Sequence, residues 1–304
     1  MPTISIWNKC NNNCLMCSNP SDLRSKKSNK NYSFEKIVQR VKCLELKDDK
    51  INLTGGEPTI HPKFFEILNQ IRKKFPHTRI EIDTNGRRFF YKEFTQKLLN
   101  LQNLNLVISL HGYDAKTHDL ITRTPGSFEQ TIKGLFNLLK YRNSSHQVEL
   151  RIIITKITCQ NTTKILKFFK DNFSQVDRVV IIFMEMEGQA GENFKIVGLT
   201  HSQFQTFIPK IAKWIPEFKG FRFYHFPLCT IEYSLWKYVW RTLPNYEVTF
   251  LPQCETCLYK KYCLGIHKDY LKKIGGKEFK PIKKKYIIKE TGNFYRPIKD
   301  VFIH

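Results

Sequence analysis

The 304-residue sequence contains no apolar stretch of the length needed to span a bilayer, no internal repeat and no low-complexity linker. A membrane-spanning helix needs about 20 consecutive apolar residues, so none is predicted. The polar N-terminus also lacks the apolar core of a signal peptide. We therefore expect a cytoplasmic protein without a membrane partner, large enough to form one α/β domain with an extension, or two domains.

Acidic residues are scarce: 27 Asp and Glu stand against 50 Lys and Arg, which gives a formal net charge of +23. A field of this size attracts polyanions, so nucleic acid, an acidic peptide and an electron donor with an acidic surface are all compatible partners. Net charge alone does not distinguish them. Lysines are dense over 260–289, notably at Lys283–Lys285, and Arg24–Lys27 adds a smaller cluster. Such runs are most often solvated faces.

Nine cysteines in a chain expected to be cytoplasmic point to metal ligation, because cytosolic thiols are kept reduced. Three of them, Cys10, Cys14 and Cys17, form a C-x3-C-x2-C motif, here called the cysteine triplet, directly after the strand-like run 3–7. Three clustered thiolates can converge on one iron–sulfur centre. A cube of four irons would keep one iron free for an outside ligand, whereas structural zinc sites close their coordination. Zinc, or three unrelated buried thiols, are the alternatives.

Strand-like and helix-like stretches alternate, which predicts right-handed βαβ crossovers and a parallel sheet. The predicted strands cover 3–7, 50–53, 79–82, 104–110, 148–155 and 178–184, and the helices include one capped by Ser33 and those at 62–75, 91–99, 127–141 and 162–172. Ligands gather at the carboxyl ends of such strands. Candidate residues lie at or near each end: the cysteine triplet, Gly55–Glu57, Asp83–Gly86, Ser109–His111, Arg151, and Glu185 with Glu187.

The order of the cysteine triplet and a Gly-Gly-Glu at 55–57 resembles the radical S-adenosylmethionine (SAM) superfamily, whose two hallmarks are these motifs. The resemblance covers residues 1 to about 200. It implies an α/β fold, a partial (β/α)6 barrel of the radical SAM type over residues 1–200. Residues 201–304 would form a small Cys-rich C-terminal extension, with a helix at 202–214, an aromatic strand at 221–226 and a basic tail past about 280.

The resemblance also implies that the cysteine triplet binds a 4Fe–4S cluster whose free iron is chelated by the amino and carboxylate groups of SAM. Gly55 and Gly56 suit a backbone that approaches the methionine moiety closely, and Glu57 can accept a hydrogen bond from a bound ammonium. Met16 stands where the family usually has an aromatic residue beside adenine. A thioether can still pack on a ring face.

Asn85, Ser109, Arg123 and Arg151 are further candidates for hydrogen bonds to the ribose or carboxylate of SAM, as polar residues near these places are in relatives. Ordinary surface or turn polarity is the alternative for each. Arg151 is the strongest candidate, because a guanidinium inside an apolar strand must find an acceptor, and a bound carboxylate would provide one. The family's reaction implies an electron donor such as flavodoxin or ferredoxin, and a 5′-deoxyadenosyl radical that abstracts hydrogen from the substrate.

Four later cysteines, Cys229, Cys254, Cys257 and Cys263, are here called the cysteine quartet. The last three have the spacing C-x2-C-x5-C, and four thiolates can close a second 4Fe–4S cluster or a zinc knuckle. The spacing resembles the core of the SPASM and twitch extensions of radical SAM peptide maturases, which implies an auxiliary cluster. The chain is shorter than a full SPASM domain and lacks its additional cysteines.

Four short segments resemble those of maturases of the His-Xaa-Ser type and of neighbouring peptide-modifying subfamilies. They are Asn85–Phe89, Val148–Ile152, Met186–Ala190 and Phe226–Cys229. This implies a precursor peptide as substrate, with crosslinking or epimerisation as the outcome. A radical SAM enzyme modifying tRNA or rRNA is the alternative favoured by the charge, although no RNA-binding module is recognised. A non-catalytic metal-bound nucleic-acid binder would leave Gly55–Glu57 without a purpose.

Two cysteines stand outside both groups. Cys43 falls on the apolar stripe of a predicted helix and is expected in the core. Cys159 sits at a strand-to-helix junction, where plain packing is expected and a hydrogen-donor role is the alternative.

Overall fold

The computed structural model describes residues 2–19, 31–46 and 50–303. The chain divides into two compact units, Met1–Arg151 with Gln175–Asp177 (unit 1) and Ile152–Ser174 with Arg178–His304 (unit 2). This division falls within a strand and not near residue 200. The expected domains 1–200 and 201–304 stay a prediction. The basic cluster Arg24–Lys27 lies outside the described residues.

Unit 1 alternates strands and helices in the order that the sequence predicts. Its strands are β1 (Thr3–Trp7), β2 (Lys50–Gly55), β3 (Arg79–Thr84), β4 (Leu104–Ser109) and the first part of β5 (Gln147–Ile154). Each strand pairs in parallel with the next one along the chain. The helices are α1 (Phe34–Cys43), α2 (Phe64–Lys74), α3 (Lys92–Leu99), α4 (Ala115–Thr122) and α5 (Ser127–Tyr141).

Local chemistry explains where these helices begin. Ser33 caps α1 by accepting a hydrogen bond from the Lys36 backbone N–H, as the sequence predicts. Helix α4 is absent from the sequence prediction, although Asp114 caps it in the same way through the Thr117 N–H. Ile37 and Val41 of α1 face the core. Cys43 is exposed, so its expected core position is wrong: two residues beyond Val41 it points to the opposite side of the helix.

Unit 2 contains more parallel strands than predicted. Strands β6 (Arg178–Phe183), β7 (Phe221–Tyr224) and β8 (Val239–Trp240) pair in parallel, and β9 (Val248–Thr249) pairs antiparallel with β10 (Ile266–His267). Its helices are α6 (Lys156–Cys159), α7 (Thr162–Phe173), α8 (Gly188–Glu192), α9 (Phe194–Val197), α10 (His201–Gln205), α11 (Ile208–Ala212) and α12 (Lys268–Lys273). No helix in the described part of the chain is long and apolar enough to cross a membrane.

Two predictions for unit 2 are wrong. The helix expected at 202–214 is split into α10 and α11, because Pro209 has no N–H and stands at the start of a new helix. The segment past 280, for which the sequence predicts a basic tail, contains an antiparallel hairpin of β11 (Ile287–Glu290) and β12 (Ile298–Phe302). Tyr259 fixes the start of the hairpin, since its hydroxyl accepts from the Tyr286 N–H.

Candidate functional site

The cysteine triplet lies on the loop after β1 in unit 1, and its three side chains are partly exposed. The backbone N–H groups of Asn13 and Leu15 donate to carbonyls of α4 at 2.9 Å, which fixes the loop between the cysteines. The Asn12 N–H donates to Cys10 Sγ at 3.3 Å, and Asn85 Nδ2 lies 3.8 Å from the same sulfur. Donors aimed at sulfur stabilise a thiolate, the form that binds iron.

Gly55 and Gly56 bring the end of β2 against the start of the cysteine loop. A Cβ on Gly55 would stand 2.1 Å from the Trp7 carbonyl oxygen, and one on Gly56 would stand 2.3 Å from that of Lys9. Gly55 also has a φ of +143°, which side chains rarely adopt. The Gly56 and Glu57 N–H groups donate to Trp7 and Lys9 oxygens at 2.7 and 2.8 Å. The glycines therefore set the spacing between the two motifs, and their contact with methionine stays a prediction.

Glu57 is 1% exposed and joins the ends of β2 and β3. Its Oε1 accepts from the Thr59 N–H, the Thr59 hydroxyl and the Thr84 hydroxyl at 3.1, 2.6 and 2.7 Å, and its Oε2 accepts from the Asn85 N–H at 2.7 Å. Burial raises the pKa of this carboxyl, and the four donors oppose that shift. Oε1 thus has three donors and Oε2 has one, and the contact of Glu57 with a bound ammonium stays a prediction.

Asn85 and Arg123 both contact the cysteine loop directly. Asn85 Nδ2 donates to Asn11 Oδ1 at 2.7 Å, and Arg123 Nε donates to the Asn13 carbonyl at 2.6 Å. The sequence did not predict Arg87 as a site residue, although it lies inside the segment 85–89. Its guanidinium donates to the Asn11 carbonyl and, at 2.8 Å, to Asn12 Oδ1. These three side chains hold the loop that carries the cysteines. Met16, inside the loop, is buried.

Arg151 finds its acceptors within the protein. Its nitrogens lie 2.7 Å from Glu149, 2.9 Å from Asp83 and 3.2 Å from Glu81. Burial raises the pKa of Asp83 to about 6, while Arg151 lowers it and Glu81 adds to the rise. The reasoning that Arg151 needs a bound carboxylate is therefore wrong, and its contact with SAM stays a prediction. Ser109 is the register partner of Arg151 at the end of β4.

We expect Arg151→Ala to lower the free energy of unfolding by about 3–5 kcal/mol, because it leaves buried carboxylates without their cation. Anaerobic urea unfolding followed by circular dichroism measures this. Lys167→Ala, which removes an exposed ion pair on α7, is the control and should change stability by about 1 kcal/mol or less. Wild-type stability combined with a tenfold loss of SAM affinity would assign Arg151 to ligand binding instead.

The cysteine quartet lines one pocket of about 370 Å³ in unit 2, with largely apolar neighbours. Backbone N–H groups surround the sulfurs: those of Leu228 and Gly265 lie 3.4 and 3.5 Å from Cys263 Sγ, and that of Ile282 lies 3.4 Å from Cys257 Sγ. Burial raises the pKa of Cys229 to about 12, and the other three thiols add to the rise. Four thiols with backbone donors in an apolar pocket fit an iron–sulfur cluster.

Two further observations concern metal and thiol chemistry. In residues 2–19, 31–46 and 50–303, no three His, Cys, Asp or Glu side chains are placed to share a single metal ion. Cys159 is 3% exposed, and its thiol donates to the Lys156 carbonyl at 3.3 Å. Burial raises the pKa of this thiol, which keeps it neutral at pH 7. This environment is typical of packing.

Comparison with known proteins gives one family match: a model described as the radical SAM superfamily matches residues 4–186. A probable GTP 3′,8-cyclase of Pyrococcus abyssi is 31% identical over 50% of this chain and 47% of its own length. The mycofactocin maturase MftC of Mycobacterium tuberculosis is 27% identical over 48% of this chain and 36% of its own. The chain thus spans about half or less of the length of these relatives.

Solved structures share the fold. Streptococcus suis SuiB bound to precursor peptide SuiA has a TM-score of 0.54 at 17% identity, covering 72% of this chain and 47% of that chain. Native anSMEcpe with bound AdoMet and Cp18Cys peptide gives 0.54 at 16%, covering 73% and 62%. The FeFe-hydrogenase maturase HydG from Carboxydothermus hydrogenoformans gives 0.55 at 14%, covering 75% and 54%. The likeness and the family match confirm the predicted fold class, an α/β partial barrel.

Proposed function

Because this chain belongs to the radical SAM superfamily, we propose that it cleaves SAM reductively at the cysteine triplet and uses the radical to modify a ribosomally made peptide. The family implies a 4Fe–4S cluster and SAM as cofactors. When bound, they supply the 5′-deoxyadenosyl radical that abstracts hydrogen from the substrate. The protein itself positions ligands and excludes water.

The residues around the triplet support this assignment. Three thiolates stand on a loop that α4, Asn85, Arg87 and Arg123 hold in place. Glu57 fixes Asn85, whose amide reaches Cys10 Sγ. We propose that Met16, Gly55, Gly56, Glu57, Asn85, Ser109, Arg123 and Arg151 surround bound SAM. Donors aimed at one sulfur and a braced loop are what a cluster with one open iron requires.

We further propose that the cysteine quartet holds an auxiliary 4Fe–4S cluster, as in twitch-type extensions. The pocket lined by all four sulfurs is the observation that carries this proposal and, through it, the peptide substrate. Two of the solved structures with this fold contain peptides. The net charge of +23 suits acidic peptide side chains and an electron donor with an acidic surface, such as flavodoxin or ferredoxin. Crosslinking and epimerisation are the proposed outcomes, in the cytoplasm.

Nucleotide substrates are the second candidate. Several relatives are named GTP 3′,8-cyclases, although the chain covers less than 53% of their length. The positive charge also favours tRNA or rRNA. A +23 protein binds any polyanion at low salt, so affinity measured there does not identify the substrate.

We expect a short peptide encoded beside this gene to stimulate deoxyadenosine formation, or its turnover where SAM is regenerated, at physiological salt. Only specific recognition survives screening at about 150 mM salt. Quantification of deoxyadenosine and the mass of the peptide measure the result. A scrambled peptide of the same composition is the control for charge.

Bulk tRNA and GTP are tested in the same assay as alternative substrates. Neither should raise deoxyadenosine formation above the level without substrate. Stimulation by one tRNA species with a mass change on that RNA would identify an RNA-modifying enzyme. Stimulation by GTP alone, with conversion of the nucleotide, would identify a relative of the cyclases.

A further inference from the structure

The segment 280–285, here called the lysine segment, begins in the wall of the pocket that the cysteine quartet lines. Its first three residues line that pocket together with the four cysteines. The backbone N–H of Ile282 lies 3.4 Å from Cys257 Sγ. The next three residues are the lysines 283–285, and all three are exposed. One short stretch of chain therefore contacts a quartet sulfur with its backbone and presents three cations to solvent.

Hydrogen bonds hold the lysine segment against the segment that carries Cys257. The Leu258 N–H donates to the Ile282 carbonyl at 3.1 Å. Just past the lysines, the Tyr286 N–H donates to the Tyr259 hydroxyl at 2.5 Å, and the Tyr286 ring stacks on Tyr233 with centroids 4.5 Å apart. The backbone is thus fixed on both sides of the three exposed lysines, which keeps their charges beside the quartet.

The lysine segment lacks the acidic partners that other lysines of unit 2 have. Lys260, which also lines the quartet pocket, pairs with Glu255 at 2.5 Å. In contrast, no lysine of the segment forms an ion pair with a carboxylate whose position the structure describes. Residues 277–289 contain six lysines and one acidic residue, Glu278. Positive charge that is not balanced locally attracts a partner with an acidic surface.

The chemistry of the quartet indicates what kind of acidic partner fits. Four thiolates close the coordination of a cluster, so a cluster held there has no open position for a substrate and can exchange electrons with a partner protein. An acidic peptide or an RNA would use the lysines but not the adjacent redox centre. Encounters between electron carriers and their partners are small and weak, and complementary charge guides them.

We propose that the lysine segment is the docking surface for an acidic one-electron carrier protein, of the flavodoxin or ferredoxin class, that reduces the cluster at the quartet. The carrier loses one electron and the quartet cluster gains one, while no bond forms or breaks and no proton moves. The proposal rests on the proposed function, because it requires an iron–sulfur cluster at the quartet. It gives the electron donor a defined site on this chain in place of attraction by the overall charge.

A triple variant of the lysine segment, Lys283→Gln with Lys284→Gln and Lys285→Gln, tests the docking surface. Oxidised flavodoxin is the probe, titrated calorimetrically into the reconstituted full chain at about 50 mM salt, where surface charges are weakly screened. We expect the variant to bind flavodoxin about tenfold more weakly, because three exposed ion pairs lost together are worth about that factor. Unchanged flavodoxin binding would overturn the proposal.

The control is a second triple variant with the same change in net charge, Lys195→Gln with Lys210→Gln and Lys213→Gln. These lysines are exposed, lie on or beside α9 and α11 in the same unit, and do not line the quartet pocket. The control should bind flavodoxin within about twofold of the wild type, because its lysines lie outside the docking surface. An equal loss of binding in both variants would show that only the overall field attracts the carrier, and would also overturn the proposal.

Electron transfer is measured in a chain whose cysteine triplet is replaced by alanine, so that the remaining iron, about four per chain, belongs to the quartet. In stopped-flow experiments with reduced flavodoxin, the lysine-segment substitutions should slow reduction about tenfold. Photogenerated 5-deazaflavin radical, a small neutral reductant that needs no docking surface, should reduce both proteins equally. Full iron with unchanged reduction by flavodoxin would remove the docking surface and leave the proposed function standing. Zinc in place of iron would overturn the auxiliary cluster and this proposal together.

Discussion

Replacing Cys10, Cys14 and Cys17 together by alanine is expected to abolish SAM cleavage and to remove about four irons and four sulfides per chain. The physical reason is that thiolates are the ligands that these irons prefer, and the loop provides no others. The Asn85 amide, whose Nδ2 lies 3.8 Å from Cys10 Sγ, stabilises a thiolate and does not replace it. The expected effect is therefore complete loss and not a reduced rate.

The measurement is anaerobic reconstitution followed by iron, sulfide and deoxyadenosine analysis. Cys43→Ala is the matched control: Cys43 is an exposed cysteine of α1 and belongs to neither group. It should keep wild-type iron content and activity. Deoxyadenosine production by the triple variant would refute the assignment of the triplet as the site of SAM cleavage.

Hydrophobic periodicity was sufficient to predict most elements of unit 1. The predicted helix at 127–141 is α5, with the same bounds, because its apolar stripe continues without a break from end to end. Helix α4 was missed because its sequence is short and weakly amphipathic, so that its main signal is the Asp114 cap. The hairpin past 280 was missed for a different reason. Most residues of its two strands are exposed or partly exposed, and only Ile298 is buried, so no buried face marks the strands in the sequence.

The sequence also predicted the local features of the candidate site, but not the contacts between residues that are far apart in the chain. The cysteine spacing identified both cysteine groups, and the resemblance to the radical SAM superfamily identified the glycine motif at 55–57. Neither showed that Arg151 would meet Glu81 and Asp83, which lie about 70 residues earlier in the chain. The pocket lined by Cys229, Cys257 and Cys263 likewise combines segments that are distant in sequence. Contacts of this kind depend on strand order and loop paths, which periodicity does not encode.

The cysteine quartet gives the second large effect. We expect replacement of Cys229, Cys254, Cys257 and Cys263 by alanine to remove about four further irons and to destabilise the surrounding part of unit 2. The quartet joins segments at 229 and 254–263, and the N–H of Ile282 contacts Cys257, so the metal would link three stretches of chain. Hydrogen exchange of β9, β10 and the β11–β12 hairpin should accelerate at least tenfold in the quartet variant.

Metal analysis distinguishes an iron–sulfur cluster from a zinc knuckle at the cysteine quartet. If it holds a cluster, the wild type contains about eight irons after reconstitution, and the triplet variant keeps about four with a fully ligated spectrum. About one zinc per chain in anaerobically purified protein, with only about four irons in the wild type, would instead establish a zinc knuckle. The exchange data alone do not distinguish these outcomes, because either metal would link the same three segments. The iron count of the triplet variant therefore decides whether this chain carries one cluster or two.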